Sequence, residues 1–129
     1  KWIDAHTIAA NVVLHGYIEE KDLVNILSEA SVFMAPMHNT IQDRARCPSK
    51  LYYYIPFNKP IVTCKIGDPY DTLAENGYYY QEGNVVDMAN MLCRALENSS
   101  TFKYPDGFID RHSWKFRAAQ FATWISSRG

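Results

Sequence analysis

Three consecutive pieces of chain decide the fold: Ser31-Val32-Phe33-Met34-Ala35-Pro36, then Pro48-Ser49-Lys50-Leu51-Tyr52-Tyr53-Tyr54-Ile55-Pro56-Phe57, then Pro60-Ile61-Val62-Thr63-Cys64. The first and third are short apolar runs of strand length, one stopped by Pro36 and one opened by Pro60. Such runs read as strands buried on both faces. In the middle piece Pro48 suits the first turn of a helix, where a missing N–H costs nothing. Pro56 limits that helix to a short one or distorts its last turn. Strand, helix and strand in this order make a parallel crossover unit.

The same alternation extends in both directions. Asn11-Val12-Val13-Leu14-His15, closed by Gly16, reads as another buried strand and tight turn. Acidic Glu19, Glu20 and Asp22 then open a helix with Leu23, Ile26, Leu27 and Ala30 on one face. Beyond Cys64, a Gly67-Asp68-Pro69 turn precedes a short helix over 71–75 with Gly77 as its C-cap, and Tyr78 to Tyr80 form a brief strand. Asn84 is placed to cap a helix that groups Val85, Met88, Ala89, Leu92 and Leu96, and residues 98–107 read as a loop. Ser113 is placed to cap a last helix in which Trp114, Ala118, Phe121, Ala122 and Ile125 share a face. The fold class predicted is α/β: a parallel sheet of about four strands with helices on both faces.

The chain has 129 residues, which fits one domain. Its formal net charge of −1 gives no basic excess of the kind nucleic acid demands, so no nucleic-acid partner is expected. Cys47, Cys64 and Cys93 are odd in number and widely spaced, neither a disulfide framework nor a zinc pattern, and read as reduced thiols. Apolar runs are too short to span a membrane. The opening Lys1-Trp2-Ile3-Asp4 carries no signal peptide and reads as the middle of a longer chain.

Ligands of open parallel sheets bind beyond the C-terminal strand ends. The segment Met37–Cys47 leaves such an end and reads as an eleven-residue polar loop, longer than most connections. It carries His38, Asn39, Arg44 and Arg46 and enters the helix that starts at Ser49 and Lys50. A helix start presents unpaired N–H groups, Arg can grip a phosphate with two bonds, and Lys adds a point charge. The cations read either as a diphosphate clamp or as a solvated loop face. Of Tyr52, Tyr53 and Tyr54, one or two could reach a ligand, because three consecutive helical residues cannot share a face; the other reading is packing. Among His6, His15, His38 and His112, only His38 lies in the candidate loop. No Walker loop, GxGxxG turn or Ser-His-Asp spacing is present.

Pro48-Ser49-Lys50-Leu51-Tyr52-Tyr53-Tyr54-Ile55, with Asn58-Lys59-Pro60-Ile61-Val62 behind it, resembles the donor-binding segment of retaining glycosyltransferases of the GT-B fold, the group 1 glycosyl transferases. Their pattern runs roughly Pro-x-Lys-Leu-x-Glu-Tyr-hydrophobic, then Gly-Lys-Pro-Val-Val. The flanks, including the later Gly77 and the His112-Ser113-Trp114 helix start, extend the likeness over about residues 11 to 125. The resemblance implies that the whole chain is one truncated C-terminal lobe, Rossmann-like and half of a GT-B fold, inactive without an N-terminal lobe. It implies a nucleoside-diphosphate sugar as donor, a glycan or lipid-linked sugar as acceptor, and no cofactor or metal. Pro48, Ser49 and Lys50 would meet the diphosphate, Gly16 and Tyr17 would border the base, and the loop from Asn39 to Cys47 would wrap sugar and phosphate. It also implies a role in glycan biosynthesis and a cytoplasmic location, with peripheral membrane attachment of the longer protein left open.

The sequence departs from the family pattern at its two glutamates, which fall on Ala45 and Tyr53, and at the glycine that falls on Asn58. Either Asp43 or Tyr53 then helps to hold the donor, or donor binding is degraded. Three readings stand at this point: a glycosyltransferase lobe, a non-catalytic binding or scaffold subunit, and an unrelated flavodoxin-like regulatory module.

Overall fold

The computed structural model describes residues 9–128. A sheet of three parallel strands lies at its centre, in the order β1 (Phe33–Ala35), β2 (Ile61–Thr63), β3 (Tyr78–Tyr79). Phe33 pairs with Ile61, Met34 with Val62, Ala35 with Thr63, and Val62 with Tyr78. The helices are α1 (Glu20–Glu29), α2 (Ile41–Ala45), α3 (Ser49–Tyr54), α4 (Gly67–Leu73), α5 (Val85–Asn98), α6 (Phe108–Arg111) and α7 (Trp114–Ser126).

Strand alternation splits the core into two layers. On one face Phe33, Ala35 and Ile61 pack with Leu51, Tyr52 and Ile55 of the α3 segment, with Leu73, and with Tyr104 and Phe108. On the other, Val62 and Cys64 pack with Met37, Tyr80 and Ala95, while Met88, Met91 and Leu92 of α5 close over them. Helices therefore cover both faces, as the apolar runs predict. Thr63, buried in mid-sheet, satisfies its hydroxyl by donating to the Ala35 carbonyl at 2.7 Å.

The sheet has three strands where four were expected. Residues 9–11 form a 3-10 turn and 12–16 are irregular, with Val13 75% and Leu14 77% exposed. An apolar run becomes a buried strand only where a neighbour supplies both ladder bonds and cover, and no described residue does so here. The loop after β1 is also not wholly irregular. Thr40 accepts the Asp43 N–H and caps α2, an element that an N-cap followed by Ile41-Gln42-Asp43 signals weakly in a short window. Gly67-Asp68-Pro69 is the first turn of α4 rather than a separate turn, and that helix ends before residues 74–76, a 3-10 turn. The third strand is shorter than residues 78–80, although the Tyr80 N–H still bonds the Thr63 carbonyl.

The predicted caps at Asn84 and Ser113 are present, accepting from the Asp87 and Phe116 N–H groups. The faces behind them differ from expectation. On α5 the packed face is Met88, Met91, Leu92 and Ala95, leaving Val85, Ala89 and Leu96 exposed. On α7 no described side chain is buried, and Trp114, Phe121 and Ile125 all face outward.

Candidate functional site

Two clusters form beyond the C-terminal ends of the strands. The first is organised by carboxylates around the loop after β1. Asp43 accepts the His38 N–H on Oδ2 at 2.7 Å and pairs through Oδ1 with Arg46 Nε at 3.2 Å. Glu82, just past β3, accepts the Asn39 N–H on Oε1 at 2.8 Å, with His38 Nδ1 3.5 Å from the same oxygen. Arg44 Nε donates to Asn39 Oδ1 at 2.7 Å. His38, Asn39, Arg44 and Arg46 are thus brought together. Asp43 offsets the charge of Arg46, whereas the partner of Arg44 among the described residues is a neutral amide.

Gly67 sets how closely α4 approaches this loop. It sits at φ +56, and a Cβ there would lie 3.0 Å from the Asp43 carbonyl oxygen and 3.2 Å from Arg44 Cα. Both the left-handed backbone and the close approach require glycine.

The second cluster is the start of α3. Pro48 is buried, Ser49 is exposed and Lys50 half-buried. Among the described residues no side chain caps this helix; the Leu51 N–H bonds the Pro48 carbonyl, and the Ser49 and Lys50 N–H groups find no partner among those residues. Lys50 forms no ion pair with a described residue. Ser49 and Lys50 line neither of the strand-end cavities formed by Lys65, Tyr79 and their neighbours.

Behind the tip, α3 is anchored by its aromatics. Tyr54 stacks on Phe33 at 4.3 Å between ring centroids, and Tyr52 is buried. The Tyr52 hydroxyl accepts from Arg117 Nη2 at 2.7 Å and donates to the Asp68 carboxylate at 3.1 Å. The Arg117 guanidinium also lies over the Tyr52 ring, 4.5 Å from its centroid. Burial, which disfavours the phenolate, pushes the Tyr52 hydroxyl up to about 12. Only Tyr53 of the three tyrosines points substantially outward.

Gly16 and Tyr17 do not join either cluster. Gly16 takes φ +66 with open space around it, and Tyr17 is 93% exposed. They lie outside both cavities at the strand ends.

The open volume at the strand ends is a cavity of about 350 Å³ bordered by Asn39, Lys65, Tyr79, Gln81 and Glu82. A second cavity, of about 560 Å³, adjoins it on the α4 side and shares Lys65 and Tyr79. Lys65 and Glu82 were missed by sequence reasoning. The signal was available: each follows a predicted strand, and the strand-end rule applies to β2 and β3 as much as to β1. Among the described residues no group of three His, Cys, Asp or Glu side chains is placed to hold a metal ion. No helix of the described residues is long and apolar enough to cross a membrane.

A parallel sheet covered on both faces, with a polar cleft beyond its strand ends, defines a Rossmann-like α/β module. The particular family follows from the sequence: residues 1–98 match the family of glycosyl transferases group 1, and the chain belongs to it. The matched stretch includes the segment from Pro48 to Val62 and ends before His112-Ser113-Trp114. No curated protein and no solved structure matches the chain. Glycosyl transfer is the activity that this family membership supports in general terms.

Proposed function

We propose that this chain is the donor-binding lobe of a retaining glycosyltransferase that uses a nucleoside-diphosphate sugar. The observation that carries the reading is the start of α3, where the Ser49 and Lys50 N–H groups have no partner among the described residues and accompany an ammonium that pairs with no described carboxylate. A diphosphate leaving group needs charge stabilisation where its negative charge develops, and backbone donors with a cation supply it without a metal. Arg44, held by Asn39 and not by a carboxylate, is the second cation for that group. Arg46 contributes less, because Asp43 partly neutralises it. Tyr53 is the tyrosine left free to reach a ligand.

Transfer needs donor and acceptor positioned together, so the lobe by itself is inactive and requires the acceptor-binding lobe. The acceptor is a glycan or lipid-linked sugar, and the location is cytoplasmic. Gly16 and Tyr17, exposed and apart from both clusters, meet the base only if another part of the protein folds over them.

A second reading, a non-catalytic binding subunit, is favoured by one observation: Ala45 and Tyr53 stand where the family pattern has carboxylates. Calorimetric titration of the full-length protein with UDP- and GDP-sugars separates the two. The transferase reading predicts binding by one donor, weakened by about 1–3 kcal/mol in Lys50→Ala, the worth of a charged hydrogen bond. No binding of any donor at millimolar concentration overturns it, and unchanged affinity in Lys50→Ala overturns the assignment of Lys50.

A further inference from the structure

The missing glutamates leave open which side chain accepts hydrogen bonds from the donor's hydroxyl groups. Asp43 is a poor choice on geometry. Both of its oxygens are engaged, by the His38 N–H and by Arg46, and its side chain is only 13% exposed. It is a loop staple.

Glu82 differs on each count. One oxygen, Oε1, holds the Asn39 N–H, while Oε2 takes no hydrogen bond from a described residue. The side chain is 34% exposed and borders the strand-end cavity of about 350 Å³. That volume lies in the range of small-molecule sites, roughly 300–1,000 Å³. The rest of the lining is mixed: the amides of Asn39 and Gln81 and the Lys65 ammonium stand beside Cys64, Ile66, Tyr79 and Tyr80. Amides and a carboxylate beside aromatic side chains suit a polyhydroxylated ring, whose hydroxyls both donate and accept while its C–H face packs on apolar surface.

We propose that Glu82 takes the place of the family's lost carboxylates and accepts a hydroxyl hydrogen of the donor's sugar ring through Oε2. This rests on the donor-binding reading above and adds to it the residue that senses the sugar. Asn39 couples the two clusters. Its N–H fixes Glu82 and its side-chain oxygen fixes Arg44, so sugar contact and phosphate contact share one loop residue.

Glu82→Gln is the informative variant, because its amide oxygen still accepts the Asn39 N–H and so preserves the loop. The full-length protein and the variant are titrated calorimetrically with UDP- and GDP-sugars, and with UDP and GDP alone. The expected result is about ten- to hundredfold weaker binding of the sugar nucleotide, the range of a charged hydrogen bond, with the nucleoside diphosphate bound as tightly as before. Equal weakening of both probes would assign Glu82 to loop structure and overturn the proposal. So would an unchanged affinity for both. If the unaltered protein binds neither probe, the donor-binding reading itself fails, which is a different outcome from a Glu82 variant that behaves like its parent.

Discussion

At Asn58 the family pattern has glycine, and the structure shows how asparagine stands there. Its backbone is left-handed at φ 54, a conformation that Asn tolerates better than other side-chain-bearing residues. Its side-chain oxygen then accepts the Tyr104 N–H at 2.9 Å, tying the turn before β2 to the distant loop. Asn58→Ala loses the tolerance and the acceptor together, and is predicted to cost about 1–3 kcal/mol in urea unfolding. A variant as stable as the parent would show that the turn does not depend on this residue. Tyr52 is the other single residue on which much converges, since its hydroxyl joins Arg117 of α7 to Asp68 of α4. Tyr52→Phe leaves both partners without that hydroxyl. A loss of about 1–3 kcal/mol is expected by the same measurement, and no loss would mean that water replaces the hydroxyl fully.

Among the elements, the contact between α2 and α4 controls the loop that carries Arg44 and Arg46. Gly67→Ala puts a methyl against the Asp43 and Arg44 backbone at a left-handed position. It is predicted to destabilise by about 1–3 kcal/mol and to weaken donor binding in calorimetry, because the loop must move to admit it. Retained affinity with retained stability would contradict this account of the loop. The same elements show what could be read from the sequence. Runs such as Pro60–Cys64 were legible as strands because both faces are buried, so every residue is apolar or satisfied. The caps at Asn84 and Ser113 were legible because capping is local. The packed faces of α5 and α7 were not, since an apolar residue on a helix reports burial only if something lies opposite it, and periodicity alone cannot say what does. Val12-Val13-Leu14 failed as a strand for that reason. Of the candidate site, His38, Asn39, Arg44 and Arg46 were legible as one loop. The carboxylate that organises half of it, Glu82, lies 43 residues from Asn39 in sequence and only the fold brings them together.

For the molecule as a whole, the two-layer core leaves α7 held by Arg117 and Tyr52 more than by buried side chains, and that corner is sensitive to pH. His112 packs against Phe108 in a tilted arrangement, 4.4 Å between ring centroids. Burial, with help from Arg117 and Arg111 and against the pull of Asp68, holds its imidazole below the ordinary value of 6.5. The folded form therefore favours the neutral ring, and the unfolded chain takes up the proton first as pH falls. This contribution to stability is fully present above pH 6.5 and is lost as pH falls below it. Melting curves between pH 7.5 and 5.5 should show a steeper loss for the parent than for His112→Gln, and parallel curves would remove His112 from the account. The central claim concerns the donor, and a crystal structure of the full-length protein with a bound nucleoside-diphosphate sugar tests it most directly. The account predicts the diphosphate against the Ser49 and Lys50 N–H groups, within reach of Lys50 Nζ and Arg44, and the sugar beside Glu82. A donor bound away from the start of α3, with Lys50 directed elsewhere, would contradict it.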